Sequence, residues 1–464
     1  MPATNFGSSA TPRADLSAFP KGFRWSAATA AFQIEGARFE DGRTASIWDD
    51  FVATPGAVID GSTSEPGCDS YHRFNEDVAL LAGLGADRYR FGISWARVQP
   101  DAVGTGNHAG IDYYRRLVDS LLAAGVTPAP TLYHWDLPSP LETDGGWLNR
   151  ETALRFADYA AIVVDALGDR VHDWYTINEP VSTSLQGYAI GELAPGKQLL
   201  FGSLPTVHHQ LLAHGLGLQV LRGHGTHRVG IVNNHTSVLP ASESVEDQTA
   251  AAIYDLIHNG LFAGPVLGGA YPDLEAFGLP AMPVEEGDME LISAPQDFYG
   301  VNFYNPTTIA AAPEESPIPF QVVPTPGAEV TGFGPEWPIV PSALTDVLVR
   351  LRDEFGDALP PIIICENGSS FPEPNAAGFV DDNDRIAYLA GHISAVGAAI
   401  AAGVDVEEYN VWSLLDNFEW ASGYTQRFGL VHVDFDTAER TPKASYKWYR
   451  ALISEARTAA KISE

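Results

Sequence analysis

The sequence predicts an α/β fold, a single (β/α)8 (TIM) barrel with long βα-loop insertions, on three observations. Short apolar or β-branched runs alternate eight times with amphipathic helical patterns. Several of these runs end in a polar or aromatic residue, the position at which such barrels carry their chemistry. No linker of shifted composition and no internal repeat divides the 464 residues, so the length beyond the roughly 250 residues usual for the fold is assigned to loops decorating one barrel.

Taken in order, a polar start containing Pro2, Pro12 and Pro20 leads to a first strand at 23–28. A helical pattern at 74–83 precedes the second strand at 87–94. A helix at 111–124, stopped by Gly125, precedes the third at 126–132, which Pro128 and Pro130 weaken by removing backbone donors. Helices at 151–167 and 204–222 precede strands at 173–178 and 228–233, and helical segments between 243 and 262 precede a sixth strand at 297–302. A helix at 342–355 leads to the continuous apolar run Ile362-Ile363-Ile364-Cys365, which reads as a strand covered on both faces and closed by a turn at Asn367-Gly368. A helix at 382–401 then leads to the last strand, 406–413. Two long connections, 136–147 and the Pro-rich 311–341, are expected to wall a deep pocket. Residues 1–18 and 458–464 read as polar tails around a catalytic unit at 19–457.

Composition narrows the partners. With 27 basic against 59 acidic residues the formal charge is −32, which repels nucleic acid and anionic membranes and suits a neutral substrate better than a phosphorylated one. Two cysteines, Cys68 and Cys365, make no disulfide framework and read as packed thiols. The first twenty residues lack a signal core and no run reaches membrane-spanning length, so the expectation is a cytoplasmic protein.

The chemistry is concentrated at the strand ends. Glu366 stands at the mouth of the Ile362 strand, and Glu179 ends the run Asp173-Trp174-Tyr175-Thr176-Ile177-Asn178 before Pro180. Burying an unpaired carboxylate is costly, and two of them at one barrel edge suit glycoside hydrolysis by a paired acid and nucleophile. Gln33 follows the first strand, Arg90 lies in the second, His134 and Trp135 follow the third, Asn178 ends the fourth, Asn302 and Tyr304 mark the sixth and Trp412 the eighth. Amides, an imidazole and indoles suit a neutral polyhydroxylated ring, bonding its hydroxyls and covering its C–H face. A histidine-rich stretch, His208, His209, His214, His224 and His227, is not read as a metal site, because His209 and His214 are five apart and do not share a helix face. No phosphate-binding glycine loop or nucleophile-elbow serine is present.

The runs Thr176-Ile177-Asn178-Glu179-Pro180 and Ile364-Cys365-Glu366-Asn367-Gly368 resemble the two catalytic motifs of family 1 glycoside hydrolases, the β-glucosidase family. So do Phe32-Gln33-Ile34-Glu35-Gly36, Tyr133-His134-Trp135-Asp136-Leu137-Pro138 and the run from Trp412 to Trp420, in the same order. The resemblance implies cofactor-free hydrolysis of β-glucosides or short oligosaccharides with retention. Glu366 would be the nucleophile and Glu179 the acid/base, with carboxyl groups about 5–5.5 Å apart. It further implies that Arg90 and Tyr304 steady the nucleophile, that Gln33, His134, Trp135, Asn178, Glu419 and Trp420 bind the sugar, that Trp412 is its platform and that Phe428 closes the site. Glu419 would accept bonds from two sugar hydroxyls and repel a phosphate on the sixth carbon. Cys365, Ser26 and Gly92 depart from the residues usual in the family, and the leaving-group side is placed near Trp337. A catalytically silent sugar-binding barrel and a mainly transferring glycosidase are the alternatives; the presence of both carboxylates argues against the first.

Overall fold

Runs that are apolar on both faces need cover on both sides, and a closed parallel sheet ringed by helices supplies it. The computed structural model describes residues 12–373 and 380–462. Eight strands, β1 (Arg24–Ala28), β2 (Arg88–Gly92), β3 (Thr127–Tyr133), β4 (Asp173–Asn178), β5 (Arg228–Asn234), β6 (Tyr299–Asn302), β7 (Ile362–Asn367) and β8 (Val406–Trp412), form one closed barrel of parallel neighbours in the order β1-β8-β7-β6-β5-β4-β3-β2. The (β/α)8 barrel expected from the alternation is the observed architecture.

Both prolines of β3 lie inside the strand. Its pairing with β4 is registered only at Thr131 and Tyr133, beyond Pro128 and Pro130, so their missing N–H groups interrupt no bond there. Helices Glu151–Leu167 and Ser342–Phe355 fall where the pattern put them, whereas the closing helix Ala444–Ile462 was not foreseen. That helix runs past residue 458, and its Trp448 Nε1 donates to the Pro12 carbonyl at 2.8 Å, drawing the chain before residue 19 onto the same unit. Residues 1–11 and 463–464 lie outside the described chain. Among the described residues, no helix is long and apolar enough to cross a membrane.

Two cores result. Outward-facing strand residues pack against the helices in one large cluster. Inside the barrel a small plug forms from Ala129, Tyr175, Val232, Phe298, Ile363 and Cys365. Gly300 makes room for it, since a Cβ there would stand 2.9 Å from Cys365 Sγ. The N-terminal mouth is closed by ion pairs, among them Arg24 to Glu408 at 2.9 Å and Arg88 to Asp173 at 3.0 Å. The C-terminal mouth is left for function.

The insertions gather over that mouth. After β6 the chain forms the antiparallel pair Thr307–Ala311 and Phe320–Val323, then a hairpin from Val330–Thr331 and Gly334–Pro338. After β4 it enters the π-helical segment Ser182–Ile190.

Gly368 is not required for a turn. A Cβ at this position would overlap the Trp412 carbonyl oxygen, so the glycine lets the ends of β7 and β8 approach. Gly368→Ala should therefore destabilise the fold by about 1–3 kcal/mol, as overpacking does, and displace Glu366 and Trp412 together. Thermal unfolding with a parallel rate assay checks this, and an unchanged melting curve with full activity would contradict it.

Candidate active site

The register of the barrel decides which side chains meet. Glu366 on β7 is paired with Asn302 on β6, and Asn302 with Asn234 on β5. On the other side Ala28 on β1 pairs with both Trp412 on β8 and Arg90 on β2. One layer at the C-terminal ends thus carries most of the polar groups.

Arg90 occupies the centre with none of its surface exposed. Its Nη1 donates to Glu366 Oε1 at 2.6 Å, its Nη2 to Asn178 Oδ1 at 2.7 Å and its Nε to Thr131 Oγ1 at 3.1 Å. Tyr304 donates its hydroxyl to Glu366 Oε2 at 2.7 Å, and its backbone is held by Tyr388 Oη at 2.7 Å. Glu366 accordingly accepts on both oxygens from donors that favour its charged form. Burial nevertheless pushes its carboxyl up to about 7, opposed by Arg90 and assisted by the charge of Glu179.

Glu179 sits in a different chemical setting. Asn302 Nδ2 at 2.7 Å and Asn234 Nδ2 at 3.0 Å both donate to its Oε1, and Ser182 Oγ at 2.8 Å donates to its Oε2. Asn302 Nδ2 also reaches Asn178 Oδ1 at 3.1 Å, so hydrogen bonds run without a break from Glu366 through Arg90, Asn178 and Asn302 to Glu179. Its backbone takes φ 45°, a left-handed value uncommon for a glutamate and matched nearby by Trp135 at 77° and Trp420 at 51°.

A cavity of about 660 Å³ opens above these groups. Of the residues singled out from the sequence, His134, Trp135, Glu179, Tyr304, Glu366, Trp412, Glu419, Trp420 and Phe428 line it, and Trp337 lines it farther out. Gln33, Arg90 and Asn178 stand behind that lining. Gln33 Nε2 donates to the Phe418 carbonyl at 2.9 Å and to Asn417 Oδ1 at 3.0 Å, and lies 3.4 Å from Glu419 Oε2. Those bonds fix the amide, and its Oε1 has no partner among the described residues. Trp135 uses its indole N–H on the Asn178 carbonyl at 2.9 Å, which leaves its ring, not its donor, for a ligand. His134 faces Trp412 and Trp420 with ring centres 5.8 and 6.0 Å away. Burial and then the charge of Arg90 hold its imidazole well below the ordinary range, so it is neutral. Burial first, then the charges of Glu366 and Glu179, push Glu419 up to about 8.

The site departs from the sequence reading in two places. The connection 136–147 does not wall this cavity: Trp147 is buried and donates to Tyr133 Oη at 3.0 Å, which folds the segment down onto the barrel. The opposing wall is the segment after β4, through Leu185, Ile190 and Leu193, facing Ile318, Phe320 and Val322 of the Pro-rich insertion. Asn234 and Ser182 were not singled out. Asn234 was detectable in principle, since it ends β5 as Asn302 ends β6, but the strand was expected to stop one residue earlier. Ser182 lies in an insertion and carried no strand-end signal.

The chain resembles known proteins over nearly its whole length. The model of glycosyl hydrolase family 1 matches residues 16–458. Beta-glucosidase A of Acetivibrio thermocellus is 42% identical over 94% of this chain and 98% of its own length. Thermostable beta-glucosidase B of Thermobispora bispora is 45% identical, covering 95% and 91%. The crystal structure of the psychrophilic beta-glucosidase BglU from Micrococcus antarcticus superposes with a TM-score of 0.90 at 44% identity, covering 95% of this chain and 98% of that one. With the motifs at the strand ends of one closed barrel and the match extending over nearly its whole length, the chain belongs to glycosyl hydrolase family 1.

Proposed function

We propose that the chain is a retaining β-glucosidase in which Glu366 is the nucleophile and Glu179 the acid/base. The observation that carries this reading is the contrast between the two carboxylates. Glu366 is clamped by a guanidinium and a phenol that favour its charge, whereas Glu179 is surrounded by neutral amides and a hydroxyl. The names of the relatives support a β-glucosidic substrate.

In the first step a Glu366 oxygen bonds to the anomeric carbon while the bond to the leaving oxygen breaks and that oxygen takes the Glu179 proton. The glycosyl ester has no charge, so Arg90 and Tyr304 lose their anionic partner and Glu179 ionises more readily. In the second step Glu179 removes a proton from water as its oxygen attacks the anomeric carbon, and the ester breaks to free Glu366. Trp412, Trp135 and Trp420 supply aromatic faces to the sugar ring, and Gln33, His134 and Glu419 supply its hydroxyl partners. The unbridged, buried thiols Cys68 and Cys365 support a reducing, cytoplasmic setting.

Three outcomes test the assignment. On an aryl β-glucoside, proton NMR should show the β-anomer of glucose released first, and Glu366→Gln should lose turnover by a factor on the order of 10⁴ or more; release of the α-anomer would overturn the nucleophile. Tyr304→Phe removes a donor that favours charged Glu366, so the acid limb of the kcat/KM profile should move to higher pH by about one unit; an unmoved limb would sink that role for Tyr304. The 6-phosphorylated glucoside should be a far poorer substrate than the unphosphorylated one because Glu179, Glu366 and Glu419 line the cavity while no lysine or arginine among the described residues does, and the reverse preference in a competition assay would refute this.

A further inference from the structure

We propose that Asn234, oriented by His258, is a positioning residue that fixes the transferable proton on Oε2 of Glu179. This rests on Glu179 being the acid/base of the proposed reaction. The two oxygens of that carboxyl group are not equivalent. Oε1 accepts from two amide nitrogens, Asn302 Nδ2 and Asn234 Nδ2, while Oε2 faces the Ser182 hydroxyl. An amide nitrogen can only donate, whereas a hydroxyl can donate or accept. A hydrogen on Oε1 would point into two N–H groups. On Oε2 it meets lone pairs on Ser182 Oγ, or on an incoming leaving oxygen.

This asymmetry depends on which way the Asn234 amide faces. Turned over, it would offer Oδ1 to Glu179 Oε1 and accept a proton placed there. In the proposed arrangement His258, with its hydrogen on Nε2, opposes the turn. Its Nε2 is 3.0 Å from Asn234 Oδ1, and its Nδ1 is 3.3 Å from Tyr254 Oη. With Asn234 Nδ2 committed to Glu179, Oδ1 must accept, so His258 Nε2 carries the hydrogen and its bare Nδ1 accepts from Tyr254. Burial holds the His258 ring down at about 4, with the nearby His235 adding to the effect, so the ring is neutral and carries a single hydrogen. Donors therefore run in one direction, from the Tyr254 hydroxyl through His258 and Asn234 to Glu179 Oε1.

Tyr254, His258 and Asn234 also line the outer cavity, so contact with the leaving group must be separated from control of the proton. Substrates with different leaving groups do this. A dinitrophenolate departs without a proton, whereas a phenol or alcohol needs one. Asn234→Ala and His258→Leu should lower kcat/KM for phenyl β-glucoside by about ten- to a hundredfold yet change that for 2,4-dinitrophenyl β-glucoside by no more than about twofold. His258→Gln, whose Nε2–H reaches the same place, should stay near the parent enzyme on both. The ratio of the two substrates in one preparation does not depend on how much of a variant has folded. Equal losses on both substrates, or a His258→Gln enzyme as selective in its loss as His258→Leu, would overturn the proposal. Glu179→Ala run alongside separates the levels. If it spares the phenyl glucoside, the acid/base reading itself fails; if it shows the selective loss and Asn234→Ala does not, only the positioning role fails.

Discussion

A guanidinium buried inside the barrel is the constraint on which the site depends. Arg90 would be severely destabilising there if its N–H groups were left without partners, because a buried charge must be both paired and hydrogen-bonded. The pairing comes from β7 through Glu366 and the Cys365 carbonyl, from β4 through Asn178 and from β3 through Thr131. Below it the guanidinium lies 5.3 Å from the centre of the Tyr175 ring, the top of the apolar plug. Four strands are thus tied to one cation, and the position of the proposed nucleophile follows from how the barrel closes.

The same cation must serve a site rich in negative charge. Glu366 and Glu419 hold protons up to about 7 and about 8, against an ordinary 4.5, through burial first and then mutual repulsion with Glu179. The folded protein therefore retains protons that the unfolded chain would release from about pH 4.5 upward. The stability linked to these two groups is present in full below that pH and is lost as pH rises through 7 to 8. In the proposed reaction, sugar hydroxyls entering the cavity would donate to whichever of these carboxyl groups is ionised and offset part of the repulsion. A phosphate would add to it, which accords with a field set by a net charge of −32.

The barrel was legible because short apolar or β-branched runs alternate with helical ones, and the carboxylates because both end such runs. Strand ends were the weak point of the reading. The one-residue difference at β5 hid Asn234, and the turn signal at Asn367-Gly368 concealed that the glycine serves a close approach to Trp412. The outer wall was half found. The Pro-rich segment declared itself by composition, but the segment after β4 has ordinary composition and becomes a wall only because the π-helical stretch Ser182–Ile190 carries it over the mouth. Ser182 depends on that folding, and the tie from His258 to Asn234 spans 24 positions between a strand end and a later insertion, so neither has a local signature.

The cavity consequently has two halves held by different physics. Its floor is built from strand ends and the segments that follow them, and three floor residues, Trp135, Glu179 and Trp420, take left-handed backbone values that cost on the order of 1–3 kcal/mol each and persist only where the surroundings over-determine them. Trp135 is pinned by its bond to the Asn178 carbonyl and Glu179 by three side-chain donors. A substitution among these residues must satisfy the Arg90 network as well as the sugar. The outer walls, from 185–193 and 318–322, are largely apolar, belong to insertions and share no bond with Arg90. In the proposed reaction, change there would alter what the leaving group meets without disturbing the pairing of Glu366. On the proposed assignment, recognition of the transferred sugar is therefore tied to the barrel itself, while recognition of what it is attached to is free to vary.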